Sequence, residues 1–320
     1  MKDNKLDDVA VIIPAFNAGG FLDQTLATVA GQTQLPAAVV IADDCSSDDT
    51  VDRALGWQDR LPIRVVRLAS NAGPAVARHQ AILATDEPVL AMLDADDLWL
   101  PDHLETMVTA HRRAPGLVSA QELSWMPGRG IHPRGRSVKT QLVAADREQQ
   151  LAELLQRNYV NFPLFSRALY ERAGGFRERF LVGEDWDLWI RMLRAGAVIT
   201  QTSHPTALHR ERPRSLSADP RANVEYGIAV LTVARAEASS ELEREAADRG
   251  LRALYARKRY YDAYALALGG HPWRARLAAA RAPKAGGLRV GLGLVALALA
   301  PRASLRVDQA TRRFRVFRPE

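Results

Sequence analysis

The sequence predicts an α/β fold in which a mostly parallel sheet is flanked by helices. Four short apolar runs have the length of buried strands: Val9–Pro14, Ala37–Ala42, Ile63–Leu68 and Val89–Leu93. Stretches with helical spacing separate them, and the connecting loops are short. Strands that alternate with helices in this way form βαβ units, whose strands run parallel. Such sheets bind ligands beyond the carboxyl ends of their strands, and polar residues follow the predicted strands there.

The first two strands lead into loops that can carry such a site. We expect Pro14 to end the first strand, because proline cannot donate to a sheet ladder. The second strand ends in Asp43 and Asp44, and Ser46–Thr50 supplies N-cap residues for a short helix that runs to Leu55. Between the two strands, apolar residues predict an amphipathic helix that contains Phe21, Leu22, Leu26 and Val29.

The third and fourth strands also end in polar residues. Asn71-Ala72-Gly73-Pro74 follows the third strand and precedes a helix predicted over residues 75–84. The fourth strand ends in Asp94, Asp96 and Asp97. Carboxylates two residues apart on an extended backbone point to the same side, and their oxygens suit Mg²⁺ or Mn²⁺. The same residues also fit a solvated acidic turn in which Asp97 is the N-cap of the next helix.

The middle of the chain gives weaker signals. Residues 116–150 show little periodicity, and within them Pro127–Gly130 and Pro133–Arg136 predict flexible loop. Acidic residues early in the helix that starts near Gly183 suit the positive end of its dipole. The elements predicted here are a strand at Leu164–Ser166, a helix at Leu169–Ala173 that ends at Gly174, a helix from Gly183 through Leu193, and short edge strands at Val198–Thr202 and Thr206–His209.

Bulk composition is that of a globular protein, with 47% hydrophobic and 25% charged residues. The sequence contains one cysteine, Cys45, which excludes an internal disulfide framework and a cysteine zinc site and fits a reducing compartment. Residues 1–8 are polar and lack the apolar segment of a signal peptide. We therefore expect a cytoplasmic protein.

Basic charge is concentrated at the end of the chain. Residues 251–320 carry 15 Lys/Arg and 3 Asp/Glu, whereas residues 1–250 carry 28 and 34. We expect one domain over residues 1–220 and a basic helical region over 221–320, with helix from Asn223 to about Ala282. The apolar run Val290–Ala300 is too short to span a bilayer. It fits either a core helix or an interfacial helix on an anionic membrane, which would place the protein on the inner face of the plasma membrane.

Five motifs in order resemble the family-2 glycosyltransferases, which have the GT-A fold. The resemblance covers about residues 8–217, and the ordered set is far more specific than any one motif. The motifs are Val11–Asn17 for the opening strand and nucleotide loop, Asp43–Thr50 for the second acidic motif, Asn71–Arg78 for the Asn-x-Gly…Ala-x-Ala-Arg segment, Asp94–Asp97 for the Asp-x-Asp motif, and Glu184–Trp189 for the Glu-Asp motif.

The resemblance implies a nucleotide-diphosphate sugar donor, with UDP as the first choice and dTDP as the second, and Mg²⁺ or Mn²⁺ as cofactor. Asp96 would bind the metal, and Asp94 would lie between the metal and the ribose. Asp43 would accept a hydrogen bond from the imide N–H of the base, and Arg78 would meet phosphate or Asp94. The other residues of the nucleotide-sugar site would be Pro14, Ala15, Phe16, Asn17, Asp44, Asn71, Gly73 and Ala95.

By the same resemblance Asp185 would be the general base, with Glu184 beside it, and a single displacement would invert the anomeric carbon. Desolvation or Glu184 would have to offset the helix dipole, which lowers the pKa of a carboxylate. The sequence departs from the family where many members have a metal-binding histidine before a Ser-x-Ser pattern. Arg212 stands three residues before Ser215, so either His209 takes that role from a shifted register or Arg212 offsets the diphosphate charge.

Other functions fit the sequence less well. The aromatic residues of the basic tail form no DNA- or RNA-binding signature, so no nucleic-acid partner is expected. A nucleotidyltransferase would carry a lysine in a Gly-rich loop after the first strand, and Asn17–Gly20 has none. The third alternative is a protein that binds a sugar nucleotide without turnover. The presence of Asp94, Asp96 and Asp185 together argues against it. The acceptor, carbohydrate or lipid-linked, follows from no motif.

Overall fold

The computed structural model describes residues 5–128, 130–133, 146–212 and 219–268. The predictions for Ser215, for the tail beyond residue 268 and for Val290–Ala300 lie outside these residues. The strands are β1 (Lys5–Ala15), β2 (Leu35–Asp43), β3 (Ile63–Arg67), β4 (Val89–Met92), β5 (Leu98–Trp99), β6 (Leu117–Met126), β7 (Gly130–Pro133), β8 (Leu164–Ser166) and β9 (Ile199–Arg210). The helices are α1 (Gly19–Ala30), α2 (Thr50–Leu55), α3 (Pro74–Leu83), α4 (His103–Arg113), α5 (Arg147–Leu154), α6 (Arg167–Arg172), α7 (Glu184–Arg194), α8 (Pro220–Ala236) and α9 (Glu241–Leu268).

The described strands form one nine-stranded sheet in the order β3-β2-β1-β4-β8-β6-β9-β5, with β7 beside β6. Strands β3, β2, β1 and β4 are parallel, which confirms the predicted α/β arrangement. Beyond β4 the sheet becomes mixed, because β8 is antiparallel to both β4 and β6, and β5 is antiparallel to β9. Strand β9 runs parallel to β6.

The parallel half of the sheet is covered on both faces. Every residue from Val9 to Ile13 in β1 is 0% exposed, as are Val39 and Ile41 in β2. Residues of α1 pack into the same core, among them Leu22, Leu26 and Val29. A strand that is buried on both faces requires a nearly continuous apolar run, and this requirement made these strands recognisable in the sequence.

The loop prediction is wrong where Gly130 and Pro133 belong to β7, whereas Arg134–Arg136 lie outside the described residues. Residues 116–150 contain β6, β7 and the start of α5, and β6 lies inside the sheet between β8 and β9. Buried polar residues interrupt the apolar pattern of β6. Gln121 is one of them, and its side-chain amide donates to the carbonyl oxygen of Thr202 at 2.6 Å. Because a buried polar group is tolerated where it is hydrogen-bonded, a central strand can lack the pattern by which strands are recognised.

Three shorter predictions are also corrected. The two predicted edge strands are the single strand β9, which lies inside the sheet between β6 and β5. Pro14 does not end β1, since it pairs with Ala42 in the parallel ladder and the strand continues to Ala15. Asp97 is not a helix N-cap, because Leu98 and Trp99 form β5 and α4 begins only at His103.

The chain divides into two compact units, Met1–Leu151 with Asn158–Ser215, and Ala152–Arg157 with Leu216–Glu320. In the second unit, ion pairs join α8 to α9, including Arg221–Asp262 at 2.9 Å and Arg235–Asp248 at 2.5 Å. Among the described residues, no helix combines the length and the apolar character needed to cross a bilayer.

Candidate active site

Hydrogen bonds join the loop after β1 to the loop after β2. The N–H of Asn17 donates to Ser46 Oγ at 2.8 Å, and Asn17 Oδ1 accepts from the N–H of Ser47 at 2.9 Å. Asn17 (φ 47°) and Cys45 (φ 63°) both have left-handed backbone. Such conformations persist where the surroundings fix them, and they cluster at functional sites. Phe16, beside Asn17, leaves 51% of its surface exposed.

The two acidic residues at the end of β2 have different surroundings. The carboxylate of Asp44 accepts from the N–H of Ala72 at 2.7 Å and from that of Gly73 at 2.8 Å. Asp44 therefore fixes the loop that precedes α3, where Gly73 has a φ of 88°. Asp43 is 0% exposed, and its carboxylate lies 3.4 Å from Arg67 Nε and accepts from the N–H of Ser46. The side chain of Asn71 is exposed.

The N-terminus of α1 is occupied by the protein's own polar groups. The N–H of Gly19 donates to Asp48 Oδ2 at 3.0 Å, and the N–H of Ala18 donates to Thr50 Oγ1 at 2.8 Å. A Cβ atom on Gly19 would lie 2.0 Å from Asp49 Oδ1. In dinucleotide-binding folds the first helix offers these N–H groups to a pyrophosphate. Here the start of α2 takes that place.

In the acidic turn after β4, the carboxylate of Asp97 is buried against β9 and that of Asp94 is half-exposed. The N–H of Asp97 donates to the carbonyl oxygen of Asp94 at 3.1 Å, which closes the turn. The buried carboxylate of Asp97 accepts from the N–H of Arg210 at 2.7 Å and lies 3.3 Å from His209 Nδ1. Asp94, by contrast, has a half-exposed side chain. Asp97 therefore anchors the turn to β9, while Asp94 is left to face the site. Ala95, between them, accepts from Thr25 Oγ1 through its carbonyl oxygen at 2.9 Å.

Asp96 lies in a crowded electrostatic environment. Burial, together with the charges of Asp97 and Asp94, raises its pKa to about 6, while the charge of Arg212 acts in the opposite direction. The guanidinium of Arg212 forms an ion pair with the Asp96 carboxylate. No group of three or more His, Cys, Asp or Glu side chains in the described part of the chain forms a metal cage. Two carboxylates with unfavourable mutual charge do fit Mg²⁺, which proteins commonly bind through one or two carboxylates together with substrate phosphates.

Of the two candidates for the missing metal-binding histidine, Arg212 contacts Asp96 and His209 contacts Asp97. Aromatic rings hold the arginines of this segment. The guanidinium of Arg212 lies 4.8 Å from the ring centroid of Phe21, and that of Arg210 lies 4.3 Å from the ring of Trp125. Stacking of this kind fixes the plane of a guanidinium as well as its position.

Arg78 joins the acidic turn to the Glu-Asp motif. Its guanidinium lies 2.7 Å from Asp94 through Nη2 and contacts the Glu184 carboxylate through Nη1. Only 13% of the Arg78 side chain is exposed. Glu184 is also buried, at the start of α7, and burial followed by the charge of Asp185 raises its pKa to about 7, with Arg78 acting in the opposite direction.

Asp185 lies next to this pair. Its Oδ2 accepts from Asn158 Nδ2 at 3.0 Å, and its Oδ1 accepts from the N–H of Trp186 at 2.6 Å. Burial raises the pKa of Asp185, and the charge of Arg78 opposes this effect. The effect of burial has the direction that the predicted offset of the helix dipole requires. Sequence reasoning gave Asn158 no role, and an asparagine in a loop offers no pattern that would assign one.

The mixed sheet with acidic residues at its strand ends is a GT-A glycosyltransferase fold, as solved structures with the same fold show. Residues 10–172, just over half of the chain, match the family model described as Glycosyl transferase family 2. The chain belongs to that family, which confirms the predicted resemblance.

Among curated relatives, the succinoglycan biosynthesis protein ExoU of Rhizobium meliloti (strain 1021) is 30% identical over 201 residues. The matched part is 59% of this chain and 58% of ExoU, so the match spans less than two thirds of that relative.

Solved structures resemble the whole fold at low identity. Staphylococcus aureus TarS 1–349, in complex with UDP-GlcNAc, has a TM-score of 0.61 and 17% identity, covering 97% of this chain and 93% of that one. The mannosyltransferase PcManGT of Pyrobaculum calidifontis, in complex with GDP-Man and Mn²⁺, has a TM-score of 0.59 and 20% identity, covering 95% and 84%. At these identities the likeness shows the fold.

Replacing Arg78 by glutamine would leave Glu184 buried without its cation. We expect a loss of stability of about 1–3 kcal/mol at neutral pH, the usual cost of leaving a buried acceptor without its hydrogen-bond donor. The control is Arg112→Gln, which removes an exposed partner of Asp8 and is expected to cost about 1 kcal/mol or less. Urea unfolding of the two variants and the wild type measures both effects.

The loss in Arg78→Gln should also depend on pH. The pKa of Glu184 is about 7 in the folded chain and near 4.5 without its surroundings, so its ionisation opposes folding as pH rises through that window. Without Arg78 the folded pKa rises further. The gap between variant and wild type should therefore be larger at about pH 8 than at about pH 5. An equal gap at both pH values would contradict this account of the buried pair.

Proposed function

We propose that the protein transfers a sugar from a nucleotide-diphosphate sugar to an acceptor hydroxyl. The observation that carries this proposal is the contact of Arg78 with both Asp94 and Glu184. It brings the Asp-x-Asp turn, where the donor diphosphate is expected, next to the motif that contains the expected base. Membership of glycosyl transferase family 2 supports the same reaction class.

The donor is proposed to be UDP-linked, with dTDP as the second choice. The joined loops after β1 and β2 would receive the nucleotide. The carboxylate of Asp43 is 0% exposed, so binding would have to make it accessible to the imide N–H of the base. Asp44 would support the same site, because it fixes the Gly73 loop through two backbone N–H groups. Support comes from TarS, whose structure was solved with UDP-GlcNAc, while PcManGT was solved with GDP-Man.

Asp94 and Asp96 are proposed to hold Mg²⁺ or Mn²⁺. When bound, the ion would offset the negative charge that develops on the leaving diphosphate. Arg212 forms an ion pair with Asp96 and would offset that charge as well. His209 contacts Asp97, so we assign it to the support of the turn and Arg212 to the diphosphate.

Asp185 is proposed to be the general base. Its carboxylate takes the proton of the acceptor hydroxyl as the acceptor oxygen bonds to the anomeric carbon, and the bond from that carbon to the diphosphate oxygen breaks. Attack from the face opposite the diphosphate inverts the anomeric configuration. Glu184 stays paired with Arg78 and keeps the guanidinium between the two halves of the site.

The acceptor is proposed to be a carbohydrate or a lipid-linked saccharide in cell-surface polysaccharide assembly. ExoU, the relative at 30% identity, is named for succinoglycan biosynthesis. A cytoplasmic location with contact to the inner face of the plasma membrane would bring the protein to such an acceptor. The basic region over residues 251–320 would make this contact.

The membrane contact predicts that the full chain floats with vesicles. We expect flotation with vesicles that contain anionic lipid, little with neutral vesicles, and release as ionic strength rises, because exposed charges are screened within about 10 Å at 0.1 M salt. Absence from the anionic vesicle fraction at low salt would exclude this part of the proposal.

Replacing Asp96 by alanine tests the nucleotide and metal half of the site. Isothermal titration of the wild type with UDP should show binding that Mn²⁺ strengthens, and Asp96→Ala should lose the strengthening by Mn²⁺. The control is Asp59→Ala, an exposed residue outside the site, which should bind as the wild type does. If UDP, dTDP and GDP all fail to bind the wild type, the nucleotide site is wrong.

Replacing Asp185 by asparagine tests the chemistry. UDP release from a panel of UDP-sugars should fall about 10²–10⁴-fold, the usual contribution of a general base, while the Kd for UDP stays within about twofold. Asp59→Asn is the matched control and should turn over normally. Binding of UDP without turnover of any nucleotide sugar by the wild type would favour a binding protein instead. Full turnover by Asp185→Asn would assign the base elsewhere.

A further inference from the structure

We propose that Asn158 is a positioning residue that fixes the carboxylate of Asp185 for proton transfer. The inference rests on the function proposed above and adds a residue that no motif assigns. Asn158 Nδ2 donates to Asp185 Oδ2 at 3.0 Å, while Asp185 Oδ1 accepts from the N–H of Trp186 at 2.6 Å. Because each oxygen has its own donor, the plane of the carboxylate is set, and Oδ2 keeps a lone pair for the acceptor proton.

The orientation of the Asn158 amide follows from its second contact. The N–H of Val160 donates to Asn158 Oδ1 at 3.2 Å. A backbone N–H can only donate, so the oxygen of the amide must face Val160 and the NH₂ group must face Asp185. A carboxylate can only accept when ionised, which requires the same orientation. The two contacts therefore agree on one flip state of the side chain.

The segment that carries Asn158 is hydrogen-bonded to two strands of the sheet, β6 and β4. The N–H of Asn161 donates to Ser119 Oγ at 3.0 Å, and its carbonyl oxygen accepts from the N–H of Ala120 at 2.9 Å. The carbonyl oxygen of Pro163 accepts from the N–H of Met92 at 2.9 Å. The segment is thus bonded both to β6 and to β4, the strand that leads into the Asp94 turn.

Phe162 shows that this segment is held in an unfavourable backbone conformation. It has a φ of 45° and is 8% exposed. Left-handed backbone in a bulky residue is unfavourable and persists only where the surroundings determine it. The hydrogen bonds of Asn161 and Pro163 on either side provide that determination. The strained backbone of Phe162 thus lies in the same segment as Asn158, which contacts Asp185.

Removing the amide should change the acidity of the base in a defined direction. The charged groups around Asp185 are Arg78 on α3, Asp94 after β4 and Glu184 on α7. The N–H of Asn158 lowers the pKa of Asp185, as Arg78 does, because it stabilises the ionised form. Asn158→Ala should therefore raise the pKa of Asp185 and leave its carboxylate with the N–H of Trp186 as the remaining donor of the two.

The experiment is ¹³C NMR titration of the full chain labelled at the aspartate carboxyl carbon. The resonance that is absent from Asp185→Asn is that of Asp185, and its midpoint gives the pKa directly. We expect the midpoint to move to higher pH in Asn158→Ala, and less in Asn158→Ser, which keeps a shorter donor. Gln156→Ala is the control, since Gln156 is exposed in the same loop and donates to Ala152.

Turnover supplies the second measurement, with UDP-N-acetylglucosamine, UDP-glucose and UDP-galactose as probes. We expect Asn158→Ala to lower kcat for UDP release about 10–100-fold with little change in KM. The acid limb of the kcat–pH profile should move to higher pH. The NMR result decides the proposal whatever the donor is. A midpoint for Asp185 that is the same in Asn158→Ala, Asn158→Ser and the wild type would overturn it. Unchanged turnover in Asp185→Asn would instead disprove the general base and leave the contact in place.

Discussion

The buried guanidinium of Arg78 holds the two halves of the site together. Asp94 belongs to the end of the parallel sheet and Glu184 to a helix that follows the antiparallel strands, and Arg78 contacts both. Glu184 is buried and Asp185 lies beside it, so two negative charges at the start of α7 would repel each other without a cation. A buried ion pair gives little net stability, but the absence of one partner is costly. Arg78 contacts two acids, whereas Glu184 is buried with Arg78 as its counter-charge, so removing Arg78 should destabilise the site more than removing either acid.

The start of α1 explains why this site needs so many charged side chains. In a dinucleotide-binding fold the first helix supplies backbone N–H groups and a favourable dipole to the phosphates. Here Asp48 accepts from the N–H of Gly19 and Thr50 accepts from that of Ala18, so those groups are used. The proposed diphosphate would therefore need other cations, and Arg78 and Arg212 lie beside the acidic turn.

How much of the fold the sequence reveals depends on how evenly each strand is buried. Strand β1 is apolar on both faces and stands out in the sequence. Strand β6 is equally central, but Gln121, Glu122 and Ser124 interrupt its apolar pattern while remaining buried. Their burial depends on partners that are distant in sequence, such as Thr202 for Gln121, and no local pattern encodes such a partner. Strand β6 was therefore not recognisable from the local sequence.

The same distinction applies to the site. Residues at the ends of parallel strands could be grouped in advance, because the topology brings those ends to one edge. Asn158 could not be grouped with them in advance. It contacts Asp185 from a loop that is bonded to Ser119 on β6, and β6 lacks the sequence pattern of a strand. The strained backbone of Phe162 lies in the same loop. Because β6 was not recognised in the sequence, the position of Asn158 against Asp185, the proposed base, could not be predicted either.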